Sequence, residues 1–173
     1  YSNYDILIVD NSKKDNYFNH LNERFPEIKI IKDNTNEEKN LLRLISSRNL
    51  ILNYAIDNNY DYLLMIDSDV IPPKEAITDL LSCEKDLVCG LVYNYFKVDG
   101  QLKWLPVAWT SLTDEEIKEI KKKVQLPSFI KSSEDLRAHM TLEEAKSNKL
   151  IKVLIPASGF MLISRNVFKK VKY

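Results

Sequence analysis

Short apolar runs recur along the chain, and the stretches between them carry helical spacing. YDILIV (4–9), EIKIIKD (27–33), YLLMI (62–66), DLVCGLVYNYF (86–96) and LIKVLIPASGFMLIS (150–164) are the strand-like runs. A strand that is apolar throughout is buried on both faces, and strands alternating with helices imply a parallel sheet with a helical layer on each side. The fold class predicted is therefore α/β, with a mostly parallel central sheet in which YLLMI is the middle strand.

Helices are predicted around 17–24, across TNEEKNLLRLISSRNLILNYAIDNN with an interruption near Ser46 and Ser47, and in KEAITDLLS, where Pro72 and Pro73 suit a helix start. Asp99 and Gly100 are turn residues that fold DLVCGLVYNYF back onto QLKWLPVAW as a hairpin. From Thr110 to Lys149 the pattern is polar and helical. TDEEIKEIKKKV opens on an N-cap threonine, and a second helical stretch is expected from Leu136 to Ser147. A last helix begins at Arg165.

The 173 residues, 45% hydrophobic and 29% charged, suit one domain spanning 1–173, with 94–149 as a hairpin and helical insertion. Lys plus Arg and Asp plus Glu both number 25, so bulk charge gives no reason to expect a nucleic-acid partner. No run approaches the roughly 18 apolar residues that span a bilayer, and the N-terminus lacks a signal-peptide pattern. Cys83 and Cys89 are too few for a disulfide framework and are read as buried free thiols. A cytoplasmic protein is expected. The chain enters a strand almost at Tyr1 and stops at Tyr173 in a helical pattern, as a segment of a longer protein would, and membrane association is left to parts outside it.

Ligands of open parallel sheets bind beyond the carboxyl ends of the strands. Asp10 ends one run, and Asp67 and Asp69 end YDYLLMIDSD. Carboxylates at i and i+2 on extended backbone point the same way, and such a pair repels unless a cation or a proton lies between them. Hard oxygen ligands suit Mg²⁺ or Mn²⁺, which complete their shells with water and substrate phosphates. The plainer reading is a turn in which Asp69 caps the step into PPKEAI. On a helix through 41–56, Arg48 has Leu44, Ile45, Ile51 and Leu52 on its face. Such a guanidinium either meets an anion or lays its stem on the core and reaches solvent with its head. The small-residue step Pro156, Ala157, Ser158, Gly159 lets backbone approach a ligand closely, or else makes a bend between strands.

DILIVDNSKKD, SSRNLILNYAIDNNYDYLLMIDSDVIPPKEAI and PASGFMLISRNVFKKV, in this order, resemble nucleotide-sugar-dependent glycosyltransferases of the GT-A fold, particularly family 2. The resemblance covers most of the chain outside 94–149. It implies a Rossmann-like GT-A domain, here incomplete, and a hexosyltransferase-type enzyme moving a sugar from a nucleoside diphosphate to an acceptor hydroxyl with inversion. Asp67 and Asp69 would be its Asp-x-Asp motif, with Asp69 on a Mn²⁺ or Mg²⁺ and Asp67 near the ribose or the metal's waters. Asp10 or Asn11 would meet the base, Arg48 would lie near the donor, and Ser158 and Gly159 would flank the sugar. The insertion would lie on the side of the acceptor, whether glycan, lipid-linked or protein. The catalytic base would fall beyond Tyr173, so none is assigned. LLMIDSDVI also resembles the strand-end motif of haloacid-dehalogenase-type aspartyl phosphatases, although IPP fits that motif poorly, and a non-catalytic nucleotide- or sugar-binding domain is a third reading.

Trp104 and Trp109 are read as the hairpin's local core in preference to acceptor-stacking rings. Tyr93, Asn94 and Tyr95 are further acceptor-side residues, His20 and His139 are ordinary surface residues, and KEIKKK is the solvated face of a helix.

Overall fold

The computed structural model describes residues 3–128, 130, 132 and 135–173. Two compact units are present, one of Tyr1–Leu64, Lys85–Leu87 and Leu162–Tyr173, the other of Met65–Glu84 and Val88–Met161.

In the first unit β1 (Leu7–Asp10) and β2 (Lys29–Lys32) pair in parallel, from Leu7 opposite Lys29 to Asp10 opposite Lys32. The helix α1 (Asp15–Arg24) packs on β2, and α2 (Asn40–Asp57) packs on β1 and on the short α6 (Arg165–Phe168). Leu21, Ile30, Leu52, Ala55 and Phe168 are the buried apolar residues there, joined by Leu162 and Ile163. Helix α2 is continuous through Ser46 and Ser47, contrary to the predicted interruption. Both hydroxyls turn out of the helix to Asp33, at 3.0 and 2.8 Å, and Ser47 also donates to the Arg43 carbonyl at 3.1 Å. Serine in a helix is weakly disfavoured when its hydroxyl competes for the backbone, and the buried Asp33 carboxylate gives both hydroxyls an acceptor outside the helix.

The strands β3 (Tyr62–Ile66), β9 (Phe160–Ser164) and β4 (Leu87–Cys89) form a sheet in the order β3-β9-β4. All five residues of β9 are buried. On the β3 side Arg165 donates to Asp61 and Asp67 to Gly159, and on the β4 side Ser164 donates to Asp86 and Gly90 to Phe160. Rising numbers on one strand thus meet falling numbers on the next, so β9 runs antiparallel to both neighbours. The prediction of a mostly parallel central sheet holds for β1 and β2 only among the described pairings. Within its sheet β3 is an edge and not the middle strand, and Tyr62 and Ile66 are 46% and 45% exposed. Apolarity along a strand reports burial and carries no information about direction.

In the second unit the predicted single strand DLVCGLVYNYF is two, β4 and β5 (Tyr93–Val98), broken at Gly90. The Phe160 ring fills the place where a side chain at 90 would stand, since an added Cβ would lie 1.9 Å from its Cδ1. The hairpin of β5 with β6 (Gln101–Pro106) forms as predicted, with Asp99 and Gly100 at φ 52° and 80° in the turn. Next come β7 (Trp109–Ser111) and α4 (Asp114–Lys123), the latter opened by a capping box between Thr113 and Glu116. Three residues of the expected 136–147 helix are instead β8 (Arg137–His139), antiparallel to β7, and only α5 (Leu142–Ala145) is helical. The helix α3 is Ala76–Ser82, so Pro72 and Pro73 precede it instead of opening it. Residues 150–156 hold only a bridge from Ile155 to Trp109. No helix among the described residues is long and apolar enough to cross a membrane.

Candidate functional site

In the second unit β3 delivers Asp67 to a turn. Its N–H continues the sheet by donating to the Gly159 carbonyl at 2.8 Å, and its own carbonyl accepts from Val70 N–H at 3.0 Å, which closes Asp67-Ser68-Asp69-Val70. The alternation expected for extended backbone therefore does not apply, and the two carboxylates are related by a turn. Asp69 is exposed, and among the described residues its carboxylate has no protein partner. It does not cap α3, whose N-cap position is Glu75. The Asp67 side chain is half-buried against buried Gly159, beside exposed Ser158. A Cβ at 159 would lie 2.8 Å from Asp67 Oδ2 and 3.3 Å from its Cγ. Glycine here leaves the volume that the carboxylate occupies.

Among the described residues no group of three or more His, Cys, Asp or Glu is placed to cage a metal. Two carboxylates, one settled against glycine and one open to solvent, fit a hard divalent ion that takes its remaining ligands from water and phosphate.

In the first unit Asp10, buried at the end of β1, has both oxygens engaged. Oδ1 accepts from Ser12 N–H at 3.0 Å, and Oδ2 accepts from Ser12 Oγ and Lys32 Nζ, each at 2.9 Å. Burial by itself would raise this carboxyl's pKa, but the hydrogen bonds from Lys32 and Ser12 outweigh it and hold the group below its ordinary value. Lys32 also donates to the carbonyls of Ser12 and Lys14, at 2.7 and 3.2 Å, and the Asn11 carbonyl accepts from Arg43 Nη2. Asp10 therefore acts first on the loop after β1, and the backbone of Asn11 is fixed by that loop and by α2.

Arg48 is 7% exposed, so the predicted burial on α2 is correct, although Leu44 on the same face is 38% exposed. Its guanidinium carbon stands 5.3 Å from the Tyr173 ring centroid. Asn49 holds the backbone of Tyr173 in both directions, donating to its carbonyl at 3.2 Å and accepting from its N–H at 3.0 Å. Asp10, Asn11 and Arg48 belong to the first unit, and Asp67, Asp69, Ser158 and Gly159 to the second.

Asp33 was missed from sequence. It is 5% exposed, follows β2 as Asp10 ends β1, and accepts from Ser46, Ser47 and the Thr35 N–H. The signal was present, a second strand run ending in aspartate. His139 is also corrected: it is no surface residue but is half-buried between Phe96 and Trp109, at 4.5 and 4.7 Å between ring centroids. Cys83 and Cys89 are free thiols as expected, yet both are only partly buried.

The sequence profile of glycosyl transferase family 2 matches residues 1–172. No curated protein and no solved structure matches the chain.

Proposed function

We propose, from the premise that the chain belongs to glycosyl transferase family 2, that it binds a nucleoside diphosphate sugar through a divalent metal and transfers the sugar to an acceptor hydroxyl with inversion. The observation that carries this is the Asp67–Asp69 turn packed on Gly159, which leaves one carboxylate seated and one open to solvent. Family membership also sets the aspartyl phosphatase reading aside.

Asp69 and Asp67 would hold a Mn²⁺ or Mg²⁺. When bound, such an ion offsets the charge that grows on the departing nucleoside diphosphate. Asp67, whose backbone is fixed at both N–H and carbonyl, keeps its carboxylate aimed without a reorganisation cost during the reaction. Ser158, which is exposed, would flank the sugar, while the room that Gly159 leaves is taken by the Asp67 carboxylate. In the other unit Asp10 shapes the loop that carries Asn11, and Arg48 is held on α2 beside the Tyr173 ring; the family resemblance alone assigns Asn11 to the base and Arg48 to the donor. By the family resemblance the acceptor's proton would pass to a carboxylate, and no residue of 1–173 is given that role.

Calorimetric titration with a panel of nucleotide sugars, with and without Mn²⁺, tests this. Wild type should bind one donor in a metal-dependent manner, and Asp69→Ala should weaken that binding by tenfold or more while unfolding within about 0.5 kcal/mol of wild type, because the residue is exposed. Unchanged binding in Asp69→Ala, or no binding by wild type, overturns the assignment.

A further inference from the structure

In the β5–β6 hairpin, strand alternation divides the side chains into two faces. Phe96 belongs to the face that packs inward, edge-on to Trp109 at 6.1 Å and against His139. Tyr93, Tyr95, Leu102 and Trp104 share the opposite face, because Tyr95 pairs with Trp104 and Lys97 with Leu102 across the strands. On that face Tyr95 is 62%, Leu102 72% and Trp104 51% exposed. Trp109 thus joins the local core as expected, and Trp104 does not. Each aromatic ring offers about 150–250 Å² for burial, so leaving Tyr95 and Trp104 together at a surface, with half-buried Tyr93 beside them, forgoes a large stabilisation unless something covers them.

The rings are arranged against one another. Trp104 lies 5.9 Å from Tyr93 at an interplanar angle of 12°, and 4.7 Å from Tyr95 at 55°. Among the described residues neither phenol oxygen has a hydrogen-bond partner. The face holds one lysine, Lys97, and no carboxylate. It therefore offers no carboxylate to a cationic ligand and only a single charge to an anionic surface. A pyranose ring presents flat C–H faces rimmed by hydroxyls, and flat aromatic bodies with polar tips are its complement. Tyr93 and Tyr95 are two residues apart on one strand, about 7 Å, which is wider than a single sugar ring.

We propose that Tyr93, Tyr95 and Trp104 form a stacking platform for a neutral oligosaccharide, the acceptor glycan of the transfer. The proposal rests on the glycosyltransferase reading above and gives its acceptor a chemical class. The hairpin stiffens the platform: the tight Asp99–Gly100 turn fixes the strand register, so the rings are held in place before a glycan arrives.

The test is calorimetry of the full chain with cellohexaose, maltohexaose and chitohexaose, alongside the nucleotide-sugar titration. At least one hexasaccharide should bind, Trp104→Leu and Tyr95→Ala should each weaken it by tenfold or more, and Trp104→Phe should stay within about threefold of wild type. Trp104→Leu keeps apolar bulk without a π face, and an unchanged unfolding midpoint shows that the hairpin is intact. No binding of any of the three glycans overturns the platform, as does equal binding by folded Trp104→Leu. Concentration-dependent self-association or vesicle binding that Trp104→Leu abolishes overturns it too, by giving the face to a protein or a membrane. If glycans bind with this pattern while no donor does, the donor reading falls and the platform stands.

Discussion

Replacing Gly159 by alanine isolates the feature on which the metal reading depends. The added methyl would lie 2.8 Å from Asp67 Oδ2, 3.3 Å from Cγ and 3.6 Å from Cβ. Ordinary contact needs about 3.5 Å, so the carboxylate oxygen must retreat by about 0.7 Å. Metal–ligand distances tolerate about 0.2 Å, so a retreat of that size takes Asp67 out of ligand geometry or forces the ion to follow it. A loss of tenfold to a hundredfold in Mn²⁺-dependent donor affinity follows, by analogy with removing a group that orients a ligand. Folding should be nearly untouched. Gly100 is the one glycine with positive φ among the described residues, so alanine at 159 meets no left-handed backbone, and its smaller unfolded-state entropy offsets part of the local strain. The assay is the same calorimetric titration with thermal unfolding beside it, repeated in an Asp67→Ala background. If Gly159 acts through Asp67, the two losses will not add. Full metal-dependent binding by Gly159→Ala, or additive losses in the double variant, would refute the reasoning.

Gly90→Ala should be far more damaging to stability, because its Cβ would stand 1.9 Å from a ring atom of Phe160, which is only 6% exposed. Overpacking of this kind costs about 1–3 kcal/mol, and an unchanged denaturation midpoint would contradict it. Asp10 has a folded pKa below its unfolded value, so it stabilises the fold above about pH 4 and loses that contribution as acid protonates it. The stability gap between wild type and Asp10→Asn should accordingly be widest near neutral pH and shrink below pH 4; a gap that widens in acid would reverse the sign of the argument. Burial pushes the Cys89 thiol up to about 11, so iodoacetamide at pH 8 should leave it unmodified until the protein is unfolded, as peptide mass mapping will show.

Local chemistry made parts of the fold legible in the sequence. Asp99-Gly100 specified its own turn, Thr113 with Glu116 specified a helix start, and the apolar run before Asp10 marked a strand end correctly. What stayed hidden depends on partners far away in the chain. Arg137–His139 has too few residues to show a period and becomes a strand only because β7 pairs with it. Ser46 and Ser47 looked like helix breakers until Asp33 was seen to take both hydroxyls. Gly90 divides a continuous apolar run because the Phe160 ring needs its place. Of the candidate site, the burial of Arg48 was readable, but not the turn between Asp67 and Asp69 or the ring of Tyr173 beside Arg48. The exposed face of Trp104 was misread because a tryptophan on a hairpin carries no mark of which side it faces.

The order β3-β9-β4 also has a temporal meaning. During synthesis β3 and β4 leave the ribosome early, and the strand that belongs between them emerges some seventy residues later. Until Phe160–Ser164 arrives, each of the earlier strands carries an unpaired edge that nothing local can satisfy. The whole hairpin and helical segment must be made, and must avoid those edges, before the slot is filled. Contacts this distant along the chain slow folding and prolong exposure to aggregation. The Asp67–Gly159 pairing, on which donor binding is proposed to depend, thus forms only after the whole segment between β4 and β9 has been made.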